Sequence, residues 1–369
     1  MITGSDKRSG HSARRRRSIG RIVRRGIVAA IVCGLVAVGL RIAPARDPGS
    51  DTEKSGAEMI TPRTVDAAQK GLDFLAARQH DDGAFGSGGY GRNVAVVGLA
   101  GMAFIGSGST PSRGPYGKQV DRCVDYILSH AEESGFIDVS SASSHGPMYG
   151  HGFATMFLAE CYGMTQRTDL REKLTRAVQL IINTQNKEGG WRYQPTRDQL
   201  ADISVTVCEV MALRAARNAG LHVPKDTVDR AVAYIKKSQN EDGGFMYMLS
   251  GGGPSAFPRS AAAVVALYSA GIYEGPELEK GLQYILQSPQ TDDIVREGHY
   301  FYGHYYAVQA MWQAGGDYWK HWFPAIRDAL LKRQNDDGSW SDPIGSEYGT
   351  SMALIILQIP NNYLPIFQR

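Results

Sequence analysis

Cysteine is scarce in this 369-residue chain and lacks the spacings that hold zinc or build a disulfide framework. Cys33 lies in an apolar N-terminal segment, which leaves Cys123, Cys161 and Cys208 elsewhere, with no Cys-x-x-Cys pair and no Cys/His cluster. The glycine-rich stretch 251–254 is not followed by a Lys-Ser/Thr pair, so it does not predict a phosphate-binding loop. We therefore expect neither a metal site nor a cofactor.

The chain also lacks long apolar runs and a basic main body. The uncharged apolar run at 26–40 has 15 residues, short of the ~20 that a membrane-spanning helix needs, so a multi-span membrane protein is excluded. Residues 1–46 contain eleven Lys and Arg against one acidic residue, whereas the remainder contains 29 basic against 36 acidic residues. Because a nucleic-acid-binding surface must lie on the folded part, we expect no nucleic-acid partner.

The first 45 residues have the order of a secretory signal. Seven arginines between residues 14 and 25 precede the apolar run, and a small-x-small site ends at Ala45. This order predicts either a cleaved signal peptide or an N-terminal membrane anchor, for which the short run suffices if Arg24, Arg25 and Arg41 snorkel to the membrane surfaces. The positive-inside rule then places the rest of the chain at the periplasmic or exterior side, anchored or secreted. Residues 46–62 are rich in Asp, Gly, Ser, Glu and Pro and predict a linker.

One motif, Gln-x-x-acid-Gly-x-aromatic, recurs in the remaining body, residues 63–369. Its four clear copies begin at Gln79, Gln185, Gln239 and Gln334. Their spacing predicts two degenerate copies, one near residue 132 that keeps Gly135 and Phe136 and one near Gln287. The body therefore consists of six units of roughly 50 residues.

Each unit combines two predicted helices of different character. Before the motif, apolar residues recur at helical spacing, as in Val228, Val232 and Ile235, which predicts an amphipathic helix. After the motif comes a helix that is apolar nearly all round, such as 94–105, and such a helix must be buried. We predict an all-α body of six helical hairpins closed into a ring, with the apolar helices inside. An open superhelix is the alternative geometry.

This repeat resembles the Gln-Trp motif of squalene-hopene and oxidosqualene cyclases, in the superfamily that includes protein prenyltransferase β subunits. The resemblance covers residues 63–359, in phrases such as Gly71-Leu-Asp-Phe-Leu-Ala-Ala-Arg-Gln79. It implies an α/α toroid. The Asp-x-Asp-Asp acid of class II terpene cyclases is missing. The Asp-x-Cys pair of the zinc-dependent prenyltransferases has one counterpart, Asp121 and Cys123, but these side chains lie about 200° apart on a predicted outer helix.

A second duplication marks two predicted inner helices, which begin with Tyr149-Gly-His151 and Tyr302-Gly-His304. Aligning the inner helices on their apolar pattern places six polar residues at one level, and we predict that these form a ring at the cavity mouth: Arg92, His151, Thr206, Ser260, His304 and Thr350. His151 and His304 fall on opposite units and would flank a ligand, in which case their side chains should be partly accessible. The alternative is that each histidine caps its own helix.

Aromatic and acidic residues complete the candidate site. Ten aromatic residues between 300 and 323 predict either a pocket wall or packing of the fifth hairpin on the sixth. Asp202, near a helix start, and Glu160 and Glu209, within inner helices, are candidate acids. The candidate catalytic residues are Tyr149, His151, Asp202, Tyr302 and His304. The candidate ligand-binding residues are Arg92, His145, Thr206, Ser260, His299, Tyr305, Trp312 and Thr350.

Three functions are consistent with the sequence. The first is an exported or membrane-anchored toroid, enzyme or carrier, that binds or processes an isoprenoid or other lipid-like ligand in its central cavity. The second is a carbohydrate-active, lyase-like toroid in which a Tyr or His takes a proton from an acidic sugar. The third is a non-catalytic module that binds a ligand or a protein. A lipid cavity should be lined by Phe, Leu and Met, and a sugar cleft by Arg, Asn and exposed Trp. We expect a monomer.

Overall fold

Twelve α-helices of 12 to 18 residues dominate the computed structural model, which describes residues 56–86, 88–288 and 299–368. Their bounds are α1 Pro62–Arg78, α2 Val94–Gly106, α3 Gly117–Ser129, α4 Pro147–Tyr162, α5 Thr168–Thr184, α6 Ile203–Asn218, α7 Lys225–Lys237, α8 Phe257–Ser269, α9 Pro276–Gln287, α10 Tyr300–Ala314, α11 Gly316–Arg333 and α12 Ser346–Gln358. Two 3₁₀ turns, Ile359–Asn361 and Pro365–Phe367, follow α12. The predicted all-α class is confirmed.

The helices alternate between an outer and an inner ring. The even-numbered helices are buried nearly all round, and α2 buries twelve of its 13 residues, whereas the outer helix α7 buries four of 13. Each inner helix contacts the next one, and α12 contacts α2, so the ring closes. The six hairpins therefore form an α/α toroid, as predicted, and the open superhelix is excluded.

The motif glutamines tie neighbouring hairpins together. Nε2 of Gln185 donates to the Gly189 carbonyl of its own turn (2.8 Å) and to the Thr227 carbonyl at the start of the next outer helix (2.9 Å). The other three motif glutamines make the same pair of bonds. Gln334 reaches the Ala67 carbonyl in α1 (2.8 Å), and this bond joins the last hairpin to the first.

Each motif turn also needs its glycine. Gly189 has φ 98°, and a Cβ there would lie 2.3 Å from the carbonyl oxygen of Arg230 in the next outer helix. Positive φ and the same close approach recur at the motif glycines of the other clear copies and at Gly135. The predicted degenerate copy near residue 132 is thereby confirmed. Helix α9 ends at Gln287, and the turn predicted after it falls at 289–298, outside the described residues.

The degenerate turn departs from our alignment by one residue. The amide of Glu132 donates to the Phe136 carbonyl (2.9 Å), as the amide of Asn186 donates to the Gly190 carbonyl in the third unit (2.9 Å). Ile137, which is fully buried, therefore takes the position of the motif aromatic, and Phe136 takes the variable position before it. Burial of an apolar side chain is what this position requires, and isoleucine supplies it.

Residues 1–45, predicted as a signal peptide or anchor, lie outside the described part of the chain. Within the part that is described, no helix combines the length and apolar character needed to cross a bilayer. The signal or anchor stays a prediction.

Candidate functional site

The ring interior is filled at the C-terminal ends of the inner helices. The last 3₁₀ turn lies across this end, where the amide of Ile366 donates to Oε2 of Glu160 (3.3 Å) and the ring of Phe367 packs edge-on to Tyr305. Nε2 of Gln313 donates to the Phe367 carbonyl (2.6 Å). Burial raises the pKa of Glu160 to about 8, so its carboxyl is mostly protonated at neutral pH.

A cavity of about 450 Å³ opens at the other end, where the inner helices begin. Six tyrosines contribute to its wall: Tyr90, Tyr149, Tyr193, Tyr247, Tyr302 and Tyr348. Other polar residues in the wall are Asn93, Ser144, His145, Ser204, Arg259, His299 and Asp342. Among the described residues that line it there is one phenylalanine, Phe153, and no Leu, Met or Trp. The cavity therefore presents aromatic faces together with phenol hydroxyls.

The Tyr-Gly-His triplets divide between this cavity and the outer ring. Tyr149 and Tyr302 line the cavity, as do the upstream residues His145 and His299. Two residues along a helix lie about 200° apart, so the histidine of each triplet faces away from its tyrosine. Both imidazoles are fully buried. The predicted accessibility of His151 and His304 is wrong.

His151 ties a motif turn to an outer helix. Its Nδ1 accepts from the amide of Ile137 (3.2 Å), and Nε2 then donates to the Ala177 carbonyl in α5 (3.2 Å). Burial lowers the pKa of this imidazole to about 4, so it is neutral at pH 7. His304 packs among aromatic rings, with centroid distances of 4.5 Å to Tyr300 and 5.6 Å to Trp322. Burial lowers the pKa of His304 to about 3.

Three other members of the predicted polar ring behave like His151. The hydroxyls of Thr206, Ser260 and Thr350 accept from the amides of Trp191 (3.1 Å), Phe245 (2.9 Å) and Trp340 (3.0 Å). The level was predicted correctly, but these side chains hold the motif turns and do not reach the cavity. We call the motif turns, with His151, Thr206, Ser260 and Thr350, the motif belt.

The remaining predicted residues also lie off the cavity wall. Arg92 precedes α2, with φ 69°, and its exposed guanidinium pairs with Asp82. Trp312 packs edge-on against Trp319 in α11 (4.8 Å), the outer helix of the sixth hairpin, so this contact packs the fifth hairpin on the sixth, which was one of the two expectations for the aromatic residues. Tyr305 is buried toward the filled end. The carboxyl oxygens of Glu209 are buried among the described residues without a hydrogen-bond partner, and burial raises its pKa.

Asp202 is buried directly behind the wall. Its Oδ1 accepts from the amide of Val205 (2.9 Å) and caps α6, while Oδ2 accepts from the hydroxyl of Tyr247 (3.5 Å). The hydroxyl of Tyr247 is also hydrogen-bonded to that of Tyr193. Burial raises the pKa of Asp202 to about 6. Asp202 thus touches the cavity through two tyrosines.

Sequence reasoning missed several wall residues: Tyr90, Asn93, Tyr193, Tyr247, Arg259, Asp342 and Tyr348. Three of them stand two residues after a motif aromatic, in Trp191-x-Tyr193, Phe245-x-Tyr247 and Trp340-x-Asp342. Aligning the units on the motif aromatic would have placed these three at one level. Asp342 is half-buried, its Oδ1 accepts from the amide of Ile344 (2.9 Å), and burial raises the pKa of this carboxyl.

The histidines of the wall do not assemble a metal site. Nδ1 of His145 is hydrogen-bonded to the hydroxyl of Tyr90 (3.0 Å), and the two rings stack with their centroids 5.5 Å apart. No group of three or more His, Cys, Asp or Glu side chains within residues 56–86, 88–288 and 299–368 is placed to hold a metal ion.

Two family models match parts of the chain. Residues 62–176 match the prenyltransferase α/α toroid domain, and residues 153–300 match the squalene-hopene cyclase C-terminal domain. The resemblance to the squalene cyclase and prenyltransferase superfamily is confirmed. A drimenyl diphosphate synthase of Streptomyces showdoensis is 26% identical over 192 residues, which span 52% of this chain and 34% of that protein. The chain thus spans about a third of the length of this relative.

Two solved structures share the fold at low identity. A type II terpene cyclase from Scytonema, in complex with the product merosterolic acid A, has a TM-score of 0.55 at 12% identity and covers 83% of this chain and 99% of its own. An inactive variant of an α-1,6-mannanase from Salegentibacter, in complex with α-1,6-mannotriose, has a TM-score of 0.59 at 8% identity and covers 80% and 98%. At these identities the likeness establishes the fold alone.

Proposed function

We propose that this terpene-cyclase-like toroid binds an isoprenoid or similar ligand, with an apolar body and a polar group, in the tyrosine-lined cavity. The observation that carries the proposal is the wall itself, in which six tyrosines and Phe153 surround about 450 Å³. That volume lies in the range of small-molecule sites. Aromatic faces contact an apolar body and stabilise positive charge that develops on it, and phenol hydroxyls bond a polar end.

A carbohydrate ligand is the second candidate, because Arg259 and Asn93 stand in the wall and Leu and Met do not occur among its described residues. Hydrolysis of a glycosidic bond uses two carboxyl groups, and Asp342 is the single carboxyl among the described lining residues. A lyase-like reaction needs a phenol that loses its proton, whereas burial raises the pKa of Tyr149 and Tyr302 well above the usual value. These features favour the isoprenoid over a sugar substrate.

The test is direct titration of the full chain with farnesol, geranylgeraniol and mannotriose by calorimetry. We expect both alcohols to bind and mannotriose not to bind. Tyr149→Ala should weaken farnesol binding at least about tenfold, because it removes part of the wall. Tyr363→Ala is the matched control, since this tyrosine is 54% exposed at the filled end of the ring. Binding of mannotriose alone, or equal losses in both variants, would overturn the proposal.

The export predicted from residues 1–45 is part of the same proposal. Alkaline phosphatase fused to the C-terminus of the full chain should be active in bacterial cells, because that enzyme folds after export. Deleting residues 1–45 should abolish this activity. Equal activity with and without the segment would contradict export by this route.

A further inference from the structure

Two phenols of the cavity wall are bonded to each other, and a buried carboxyl lies behind them. The hydroxyls of Tyr193 and Tyr247 form a hydrogen bond, and the Tyr247 hydroxyl also lies 3.5 Å from Oδ2 of Asp202. Tyr193 and Tyr247 line the cavity, whereas Asp202 is fully buried. The three groups thus form a chain that begins inside the protein and ends at the ligand space.

The main chain fixes both tyrosines. The Tyr193 carbonyl accepts from the amide of Met148 at the start of α4 (3.1 Å), and the Tyr247 carbonyl accepts from the amide of Ile203, next to Asp202 (3.0 Å). Gly146 makes room for the first tyrosine, since a Cβ there would lie 2.5 Å from Cδ1 of Tyr193. Because the main chain of both tyrosines is held by these hydrogen bonds, the two hydroxyls lie next to each other without a bound ligand.

The carboxylate sets the direction of the hydrogen bonds. The other oxygen of Asp202 already accepts from Val205, and an ionised carboxylate only accepts. Tyr247 must then donate to Asp202, and Tyr193, which finds the oxygen of Tyr247 as its acceptor, donates to it. The Tyr193 oxygen is left as an acceptor. The Arg192 guanidinium, 4.8 Å from the Tyr193 ring and 5.8 Å from the Tyr247 ring, favours the ionised carboxyl.

The cationic side chains of the described wall are not arranged for an anionic ligand. Arg259 is the one guanidinium among the described lining residues, and it donates from Nε to the Phe245 carbonyl (2.9 Å) and from Nη2 to the Pro254 carbonyl. The wall also carries the carboxyl of Asp342. A diphosphate needs several unshared cationic or amide donors, which this arrangement does not gather.

We infer that the Tyr193 oxygen is a subsite for the hydroxyl group of a neutral ligand, and that Asp202 is the positioning residue that makes this oxygen an acceptor. The inference rests on the proposed function, because it takes the cavity as the ligand site. It adds the class of ligand: an alcohol, in preference to an ether or a diphosphate of the same body.

The experiment compares farnesol, farnesyl methyl ether and farnesyl diphosphate on the full chain at pH 8 by calorimetry. The alcohol donates a hydrogen bond and the ether cannot, so we expect farnesol to bind about tenfold more tightly than the ether. The diphosphate should bind at least about tenfold more weakly than farnesol. Equal binding of alcohol and ether, or tighter binding of the diphosphate, would overturn the inference while the proposed function stands.

Two variants separate positioning from a merely structural role. In Asp202→Asn the side-chain oxygen still caps the helix, and the side-chain nitrogen donates a hydrogen bond to Tyr247. Tyr247 then donates to Tyr193, so the direction of both hydrogen bonds is reversed and the Tyr193 hydroxyl becomes a donor toward the cavity. Ether binding should then improve until the alcohol preference falls to about one. Tyr193→Phe should abolish the preference by removing the hydroxyl. Asp226→Asn, on the outer surface, is the matched control and should keep it. Retention of the wild-type preference in Asp202→Asn, with the fold intact by circular dichroism, would refute the positioning role.

A pair of probes without an isoprenoid body keeps the two proposals distinguishable. Cyclohexanol and methoxycyclohexane differ in the same hydroxyl and can be titrated by NMR. If farnesol fails to bind but cyclohexanol shifts the resonances of Tyr193 and its ether does not, the subsite stands and the isoprenoid proposal fails. If neither alcohol is preferred over its ether, the subsite is refuted.

Discussion

The motif belt and the cavity wall both include residues from the first turns of the inner helices, but the polar side chains of the belt are buried and hydrogen-bonded, whereas those of the wall face the cavity. In the belt, His151 and Thr350 are fully buried, and each accepts the amide of a motif turn. In the wall, Tyr149 and Tyr302 are half-buried and face about 450 Å³ of free space. A satisfied, buried polar group stabilises the fold, and a polar group that faces a cavity is available to a ligand. Substitutions should therefore separate the two regions.

The largest effect is expected at a belt glycine. Gly189→Ala should lower the free energy of unfolding by about 4 kcal/mol, because it adds the cost of positive φ to a collision with the Arg230 backbone. Gly251→Ala is the matched control, since Gly251 has φ 87° and a Cβ there meets nothing within 4 Å. It should cost about 1 kcal/mol. Equal costs in urea unfolding would mean that the turns are not braced by the neighbouring hairpin.

Acid should weaken the belt through His151. Its pKa is lowered to about 4 in the folded chain from about 6.5 unfolded, so the stability it contributes is complete above pH 6.5 and is lost as the pH falls toward 4. This loss amounts to about 3 kcal/mol. The His151→Ala variant has no imidazole to protonate, so it does not lose this stability at low pH. The difference in free energy of unfolding between wild type and His151→Ala should therefore shrink on acidification, because the other titrating groups contribute equally to both proteins. A difference that is constant from pH 7 to 4.5 would contradict the assignment.

A smaller loss is expected at a belt hydroxyl. Thr350→Val keeps the volume and leaves the buried amide of Trp340 without its acceptor, which should cost about 2 kcal/mol. Thr175→Val, at an exposed position of α5, is the control and should change stability by less than about 0.5 kcal/mol. Similar losses in thermal unfolding would show that the belt bond is not needed.

The smallest effect on stability is expected in the wall. The Tyr302 hydroxyl makes a long bond of 3.4 Å to the Ser204 carbonyl, so Tyr302→Phe should lower stability by less than about 1 kcal/mol. Farnesol affinity, measured by calorimetry, should nevertheless fall several-fold. A stability loss as large as that of Thr350→Val would mean that the wall is as structural as the belt.

Most of the fold could be predicted from the sequence, because the patterns that predict it are local and recur in each unit. Helical spacing and six motif positions predict the hairpins, and α12 meets α2 because six such units close a ring. The site was predicted less well. Alignment along the helices gives the level of His151 and Thr206 but not the direction in which they face, and a residue two positions from an inward Tyr149 must face outward. Tyr193 and Tyr247 follow the motifs outside the helices, where no periodicity gives the direction of a side chain.

The filled end illustrates a further limit. The last 3₁₀ turn covers the C-terminal ends of the inner helices through Ile366 and Phe367. No sequence pattern in this short segment predicts that it packs on the inner helices, because the contact depends on helices that are brought together only when the ring has formed. The position of the cavity, at the end where the inner helices begin, therefore depends on tertiary structure and is not predicted by the repeat.

Photocrosslinking tests most directly the claim that the wall binds a ligand and the belt does not. The full chain would be irradiated with a diazirine analogue of farnesol, and the labelled residues mapped by mass spectrometry. The account predicts labels on wall residues such as Tyr149, Phe153 and Tyr302, all suppressed by excess farnesol. Labels confined to the outer helices or to the filled end around Phe367, or labels that farnesol does not suppress, would contradict it.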